Sequence, residues 1–207
     1  MDQEANLSQI RKMLFRCDAR GIERTPAGAQ FICPVPKHGP LAFLHSLYKP
    51  CDSGDLAEIE ELFGYALPIE YIAFMKSNNG ASLFVGAISI HGWGKVLSRS
   101  LLLEDQAAIF LDSTHQTHRL LEPADWSQGW RPIGNLVAKN RHPLAVNSYG
   151  TFRLRSASGT KRLWTSFTLM LADCIIAADA CFDCDGIGEG GYIRLEEAFD
   201  ALAASRN

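Results

Sequence analysis

Three groups of residues combine types and spacing that could support chemistry. Cys181-x-x-Cys184 could hold a metal or form a redox pair, and Asp112, His115 and His118 could share one helix face as two imidazoles and a carboxylate. Gly186-Ile187-Gly188-Glu189-Gly190-Gly191 has the glycine density of a phosphate cradle. Each weakens when its neighbours are read. A structural zinc needs four ligands, and no second Cys-x-x-Cys or His-x-x-x-His completes the cysteine pair. Cys181 instead continues an apolar helical stripe, so a small buried hydrophobe is expected there. The glycine run follows a helix rather than a strand, and Asp183, Asp185 and Glu189 would repel phosphate, which leaves a flexible turn. Asp183-x-Asp185-Gly186 begins like a calcium loop, but Tyr192 stands at the bidentate position and Cys181 at the first. The His115/His118 set reads as a polar surface face. No nucleophile elbow, P-loop or dinucleotide fingerprint is present. No catalytic residue, metal or cofactor is therefore expected.

Charge is more informative. Residues 52–75 carry six acids (Asp52, Asp55, Glu58, Glu60, Glu61, Glu70) and no base. Residues 126–172 carry seven bases (Arg131, Lys139, Arg141, Arg153, Arg155, Lys161, Arg162) and no acid, and residues 173–200 return to eight acids against Arg194. Such blocks are either solvated faces whose opposite signs pair internally or a patterned binding surface. Glu58 and Glu61 lie off the Leu56/Ile59/Phe63 stripe and should face solvent. Asp183, Asp185 and Glu189 sit where glycines let a partner approach the backbone closely. The expected docking surface for a basic partner is therefore Asp183, Asp185 and Glu189, with Glu58 and Glu61 as a second choice.

The elements that position these residues read as α+β. The chain has 207 residues, 47% apolar and 21% charged, with a formal net charge of -3, which excludes wholesale disorder and gives no global nucleic-acid signature. Residues 1–52 form a loosely patterned lead-in of unassigned role, packed on the domain, whose Cys33-Pro34-Val35-Pro36 segment cannot be regular helix. Two helices follow. One carries Leu56, Ile59, Leu62 and Phe63, with Ser53 or Asp55 as cap and Gly64 as stop. The next starts at Pro68, carries Tyr71, Ile72 and Met75, and ends at Asn79-Gly80. Residues 83–88 alternate like a strand with a bulge at Gly86, and residues 91–130 are mixed, with apolar runs at Leu101–Leu103 and Ala107–Leu111. From Pro143 the chain becomes a meander in which Arg153 and Arg155 face away from Phe152 and Leu154, giving one wet sheet face. A long helix with Phe167, Met170, Leu171, Cys174, Ile175 and Ala178 on one side comes next, then a glycine-rich break and a short closing helix. Helices flanking a central antiparallel sheet imply an α+β domain over 53–172, with 173–207 as its helical, glycine-rich extension.

Within this frame the order of residues is more specific than periodicity. Leu56, Ile59-Glu60, Phe63-Gly64, Leu67-Pro68, Glu70-Tyr71, Phe74-Met75 and Asn78-Asn79-Gly80 run into Leu83-Phe84 and Gly92. Pro132-Ile133-Gly134, the Asn147–Gly150 turn and Ser166-Phe167 follow. This pattern resembles the SUKH superfamily, the Smi/Knr cell-wall-regulator family of fungi and its bacterial relatives. Glu60, Gly64, Leu67, Pro68, Tyr71, Phe74, Asn79 and Gly80 carry the likeness, and their reading is structural. The resemblance implies a SUKH-like fold and a non-enzymatic protein-binding domain. Many bacterial members look like immunity proteins that neutralise a toxin domain, such as a nuclease or deaminase, by stoichiometric binding. The partner expected here is accordingly a basic toxin domain, the alternative being a scaffold or regulator with another protein partner. Nucleic acid, through a platform of Arg153 and Arg155 with Phe152, Tyr149 and Trp164, is the less favoured ligand, because Phe152 points opposite to the arginines and aromatics and charges do not interleave on one face. An enzyme using Cys184 or His115/His118 is the least favoured reading.

An acidic start, Met1-Asp2-Gln3-Glu4, suggests no signal peptide, and the longest apolar stretch, Thr168 to Ala180, contains Asp173 and falls short of the ~20 residues of a membrane span. Six scattered cysteines read as reduced thiols in a cytoplasmic protein.

Overall fold

The computed structural model describes residues 3–93, 123–156, 159, 161–188 and 190–205. The apolar runs at 101–111, the Asp112/His115/His118 set and Glu189 fall outside the described residues. Nine strands, β1 (Ile22–Arg24), β2 (Gln30–Pro34), β3 (Phe43–Leu47), β4 (Ala81–Leu83), β5 (Ile88–Ile90), β6 (Arg131–Val137), β7 (Arg141–Val146), β8 (Phe152–Arg155) and β9 (Lys161–Trp164), form one antiparallel sheet in which each strand pairs with the next in sequence. The helices are α1 (Gln3–Leu14), α2 (Ser53–Phe63), α3 (Ile69–Ser77), α4 (Pro123–Ser127), α5 (Phe167–Asp179) and α6 (Gly191–Ala204). A small hairpin, β10 (Phe182–Asp183) and β11 (Gly186–Ile187), joins the last two. The α+β class and the helix-flanked antiparallel sheet are as expected.

The centre of the core is α5. Phe167, Thr168, Met170, Leu171, Ala172, Cys174, Ile175 and Ala178 are all buried, so the helix is apolar on nearly every side. It packs on α1, α3 and α6 and touches β5, β9 and β10. Its start is fixed twice. Ser166 caps it by accepting from the Leu169 amide, and Glu70 of α3 accepts from the Ser166 hydroxyl at 2.7 Å and the Thr168 amide at 2.9 Å. Burial pushes the Glu70 carboxyl up, but these donors outweigh it and hold its pKa below the ordinary range.

Several expectations are corrected. Residues 22–47 are three strands of the sheet rather than a loose lead-in, because their prolines sit where no ladder is interrupted: Pro34 ends β2 and Pro36 opens a 3-10 turn. Residues 83–88 are a hairpin and not one bulged strand. Phe84 and Val85 take left-handed conformations (φ 52° and 54°) before Gly86 (φ 88°), which turns the chain back onto β4. The cost at Phe84 is met by full burial against His45, whose ring lies 4.7 Å away. Asp52, not Ser53 or Asp55, caps α2, and Asp55 returns the bond in a capping box. Residues 131–137 add a strand before Pro143. The segment after Cys181 is the β10–β11 hairpin, and the closing helix has 14 residues.

The cysteine reading is also corrected. Cys17 and Cys184 are bonded across 167 residues, with Cα atoms 5.6 Å apart, while Cys33, Cys51, Cys174 and Cys181 are free and buried. Around the bond, Arg16 pairs with Asp179 at 2.8 Å and Arg20 with Asp185 at 2.5 Å, and Arg20 also donates to the Cys184 carbonyl. These contacts fasten the segment after α1 to the end of α5 and to the β10–β11 hairpin.

Of the three fully buried histidines among the described residues, His45, His91 and His142, the first two have strongly lowered pKa values. Burial, then Arg16, pushes His45 down to about 3, and burial, then Arg141, pushes His91 down to about 4. Unfolded histidine titrates near 6.5, so below that pH the unfolded chain binds protons that the folded chain refuses. Stability should therefore fall as pH falls from about 6.5, by up to about 1.4 kcal/mol per unit for each histidine. Urea midpoints at pH 7 and pH 5 test this; equal midpoints would contradict two neutral core histidines.

Candidate partner-binding surface

The residues that carry the family likeness are architectural. Glu60 reaches over the end of α2 and accepts from the Leu67 amide at 2.9 Å, while Gly64 (φ 77°) closes the helix in the left-handed region. Leu67 and Tyr71 are buried, and Pro68 is the cap of α3, one position before the helix. Phe74 is half-buried rather than a full core residue, 5.1 Å from the Phe167 ring. Asn79 clamps Trp93 from both sides, accepting from its amide at 2.5 Å and donating to its carbonyl at 2.7 Å. A Cβ on Gly80 (φ 83°) would meet the Ile90 carbonyl oxygen and the Gly92 amide at 2.7 Å each, so only glycine fits.

The acidic residues expected to meet a partner are placed unequally. Glu61 is exposed. Glu58 is half-buried and accepts from the Trp93 indole at 2.9 Å. Asp183 and Asp185 are exposed on the β10–β11 turn, where Asp183 accepts from the Asp185 amide. Asp185 already carries Arg20 as counter-ion, and the hydrogen bond from that guanidinium holds its pKa down.

The expected wet face of the sheet is covered. Arg153 is 2% exposed, paired with buried Asp125 at 2.9 Å and stacked on the Trp130 ring at 4.2 Å. Arg155 reaches the other Asp125 oxygen at 3.3 Å, and Arg162 pairs with Asp173 at 2.6 Å. Arg131 donates to the Phe63 carbonyl, capping α2, and lies 4.7 Å over Trp126. These four bases serve internal partners, so they do not form an open polyanion track.

Sequence reasoning missed an apolar feature. The Gly150 turn packs on Pro68 at 3.7 Å from its would-be Cβ, and the Tyr65 hydroxyl donates to the Val146 carbonyl at 2.9 Å. These contacts bring the β7–β8 turn against the α2–α3 connection. Ile69, 82% exposed, and Tyr149, 91% exposed, flank that junction, with exposed Leu62 and Glu61 on the preceding helical turn. The available signal was a large aromatic at a turn tip and an isoleucine directly after a helix-starting proline. A separate cleft of about 340 Å³ lies between α1, α3 and α5, lined by Ile10, Leu14, Phe74, Phe167 and Leu171. Its carboxylate, Glu70, is engaged with the α5 start, so the cleft offers apolar contact rather than acid–base chemistry. Among the described residues, no helix is long and apolar enough to cross a membrane.

A sequence model of the SMI1/KNR4 family (SUKH-1) matches residues 50–173, which span α2 through most of α5. Neither the curated proteins nor the solved structures contain a match.

Within the matched span Asp125 is the anion on which two arginines depend. Asp125→Ala would leave Arg153 buried without its counter-ion and should cost about 3–5 kcal/mol in chemical denaturation. A loss below about 1 kcal/mol would mean that the Trp130 stack alone satisfies Arg153.

Proposed function

Since the chain belongs to the SMI1/KNR4 family (SUKH-1), a family of immunity- and regulator-type domains, we propose that it is a non-enzymatic protein-binding domain of the immunity type. On this reading it neutralises a toxin domain of the nuclease or deaminase class by stoichiometric masking. The observation that carries the reading is the family match, supported by a face that has the composition of an interface. Ile69 and Tyr149 offer large apolar anchors, and exposed Glu61 supplies charge in the last turn of the preceding helix. The β10–β11 acids form a weaker second contact, because Arg20 offsets Asp185 locally. A basic partner fits, since residues 52–75 carry six acids and no base, with Lys76 as the one base of the helix pair, in the last turn of α3.

Cytoplasmic action belongs to the same proposal: an immunity protein meets its toxin in the cell it protects. There the thiol pool keeps most cysteines reduced, so masking must not require the Cys17–Cys184 bond. The Arg20–Asp185 pair joins the same two segments without it, and the Arg16–Asp179 pair ties the first of them to the end of α5.

The test is a pull-down from the native host with this chain as bait, followed by titration of the captured protein's activity. Inhibition should saturate at equal amounts of the two proteins and be the same with and without reductant. Inhibition at strongly substoichiometric ratios would mean enzymatic inactivation and refute masking, whereas binding without inhibition would favour a scaffold. Tyr149→Ala should weaken binding by about 30-fold or more at an unchanged melting temperature. Glu61→Lys should slow association and flatten its salt dependence, and a joint Asp183→Lys/Asp185→Lys change should do so less.

A further inference from the structure

We infer that His142, Glu196 and Asp200 form a binding site for a borderline divalent metal of the zinc type. Glu196 and Asp200 are four residues apart on α6 and therefore share one helix face, which is turned to His142 on β7. One potential ligand atom from each residue lies within 4.8 Å of the other two. His142 is fully buried and Glu196 is 12% exposed at its side chain.

The three groups are unequally satisfied, and the imbalance points to a cation. Glu196 is held from outside the cluster by Asn140, whose amide donates to Oε2 at 2.9 Å and whose side chain donates to Oε1 at 2.8 Å. That is the clamp a metal-binding carboxylate needs. His142 Nε2 lies 3.1 Å from Glu196 Oε1. Asp200 is not itself a buried residue, yet its Oδ1 is buried and has no hydrogen-bond partner among the described residues. A buried carboxylate oxygen without a donor is costly unless a positive charge reaches it. Two carboxylates against one imidazole leave room for a divalent ion.

The geometry suits tetrahedral N/O coordination. Metal–ligand bonds of about 2.0–2.2 Å place adjacent ligands about 3.3 Å apart, so the His142–Glu196 separation already fits one edge. Asp200 closes the third position by a side-chain rotation, and the fourth is left to water, as in an open zinc site. An imidazole ligand favours zinc, cobalt or nickel over calcium and magnesium, which prefer all-oxygen shells. The Phe199 ring, 5.9 Å from the His142 ring, walls the site on the core side.

The test uses the full chain after dialysis against chelator. Zinc chloride alone should bind with a stoichiometry of one in calorimetry and raise the melting temperature, while magnesium should do neither. Asp200→Asn, which keeps the shape of the side chain, should abolish both effects without lowering the apo melting temperature. Asn140→Ala, which leaves all three ligands in place, should weaken zinc by about 10- to 100-fold. Cobalt should give a tetrahedral visible spectrum with no thiolate charge-transfer band. Absence of zinc binding, binding that survives Asp200→Asn, or a thiolate band that moves the metal to a cysteine would each overturn the site.

Discussion

Helix α5 imposes the constraint that organises this fold. A helix apolar around most of its circumference gains nothing by resting on a sheet with one face alone, because the remaining faces would stay in water. The sheet covers one side; α1, α3 and α6 cover most of the rest, leaving Ile176 exposed. That requirement explains why segments on both sides of the family-matched span are built into the same core. Ile10 and Leu14 of α1, Leu195 and Phe199 of α6, and strands β1–β3 all belong to the layer that encloses or extends the α5 environment. The angle of α3 is then set by Glu70, whose carboxylate must reach the α5 amino end.

The charge blocks follow from the same economy of covering. Six bases on four consecutive strands, left without partners, would be self-repelling. Instead α4 and Trp130 lie against Arg153, with Asp125 neutralising Arg153 and Arg155 together. Arg162 turns to Asp173 on α5, and Arg16 and Arg20 go to the acids near the β10–β11 hairpin. Part of the sign alternation along the sequence is thus taken up by internal pairs.

The sequence was most legible where period and punctuation agree. Helices α2, α3 and α5 have apolar spacing, a cap and a stop, and they were read at nearly their observed bounds. The Gly80 requirement was also visible, although its cause, the close approach of Ile90 and Gly92, is a tertiary fact. Strands β1–β3 were opaque because two prolines near Cys33 look like disruption when only local rules apply. In fact they fall at a strand end and in a turn. Residues 83–88 misled for the opposite reason: alternation is the same in one strand and in a hairpin whose turn uses non-glycine left-handed residues. The Asp125–Arg153 pair, the Cys17–Cys184 bond and the Ile69–Tyr149 junction join residues far apart in the chain, and no local pattern records such meetings.

The strictly sequential meander has a consequence for how the protein is made. Each strand can pair with its predecessor as soon as it leaves the ribosome, so the sheet can grow in the direction of synthesis without waiting for distant segments. Its apolar face, however, lacks α5, the helix at the centre of its cover, until all nine strands have emerged. Throughout that interval Leu44, Ile88, Ile133, Leu144 and Phe152 are presented together on a nascent chain. Translation of the last fifth of the chain therefore closes a window of aggregation risk, and holdase chaperones acting on the ribosome-bound intermediate have their natural target there.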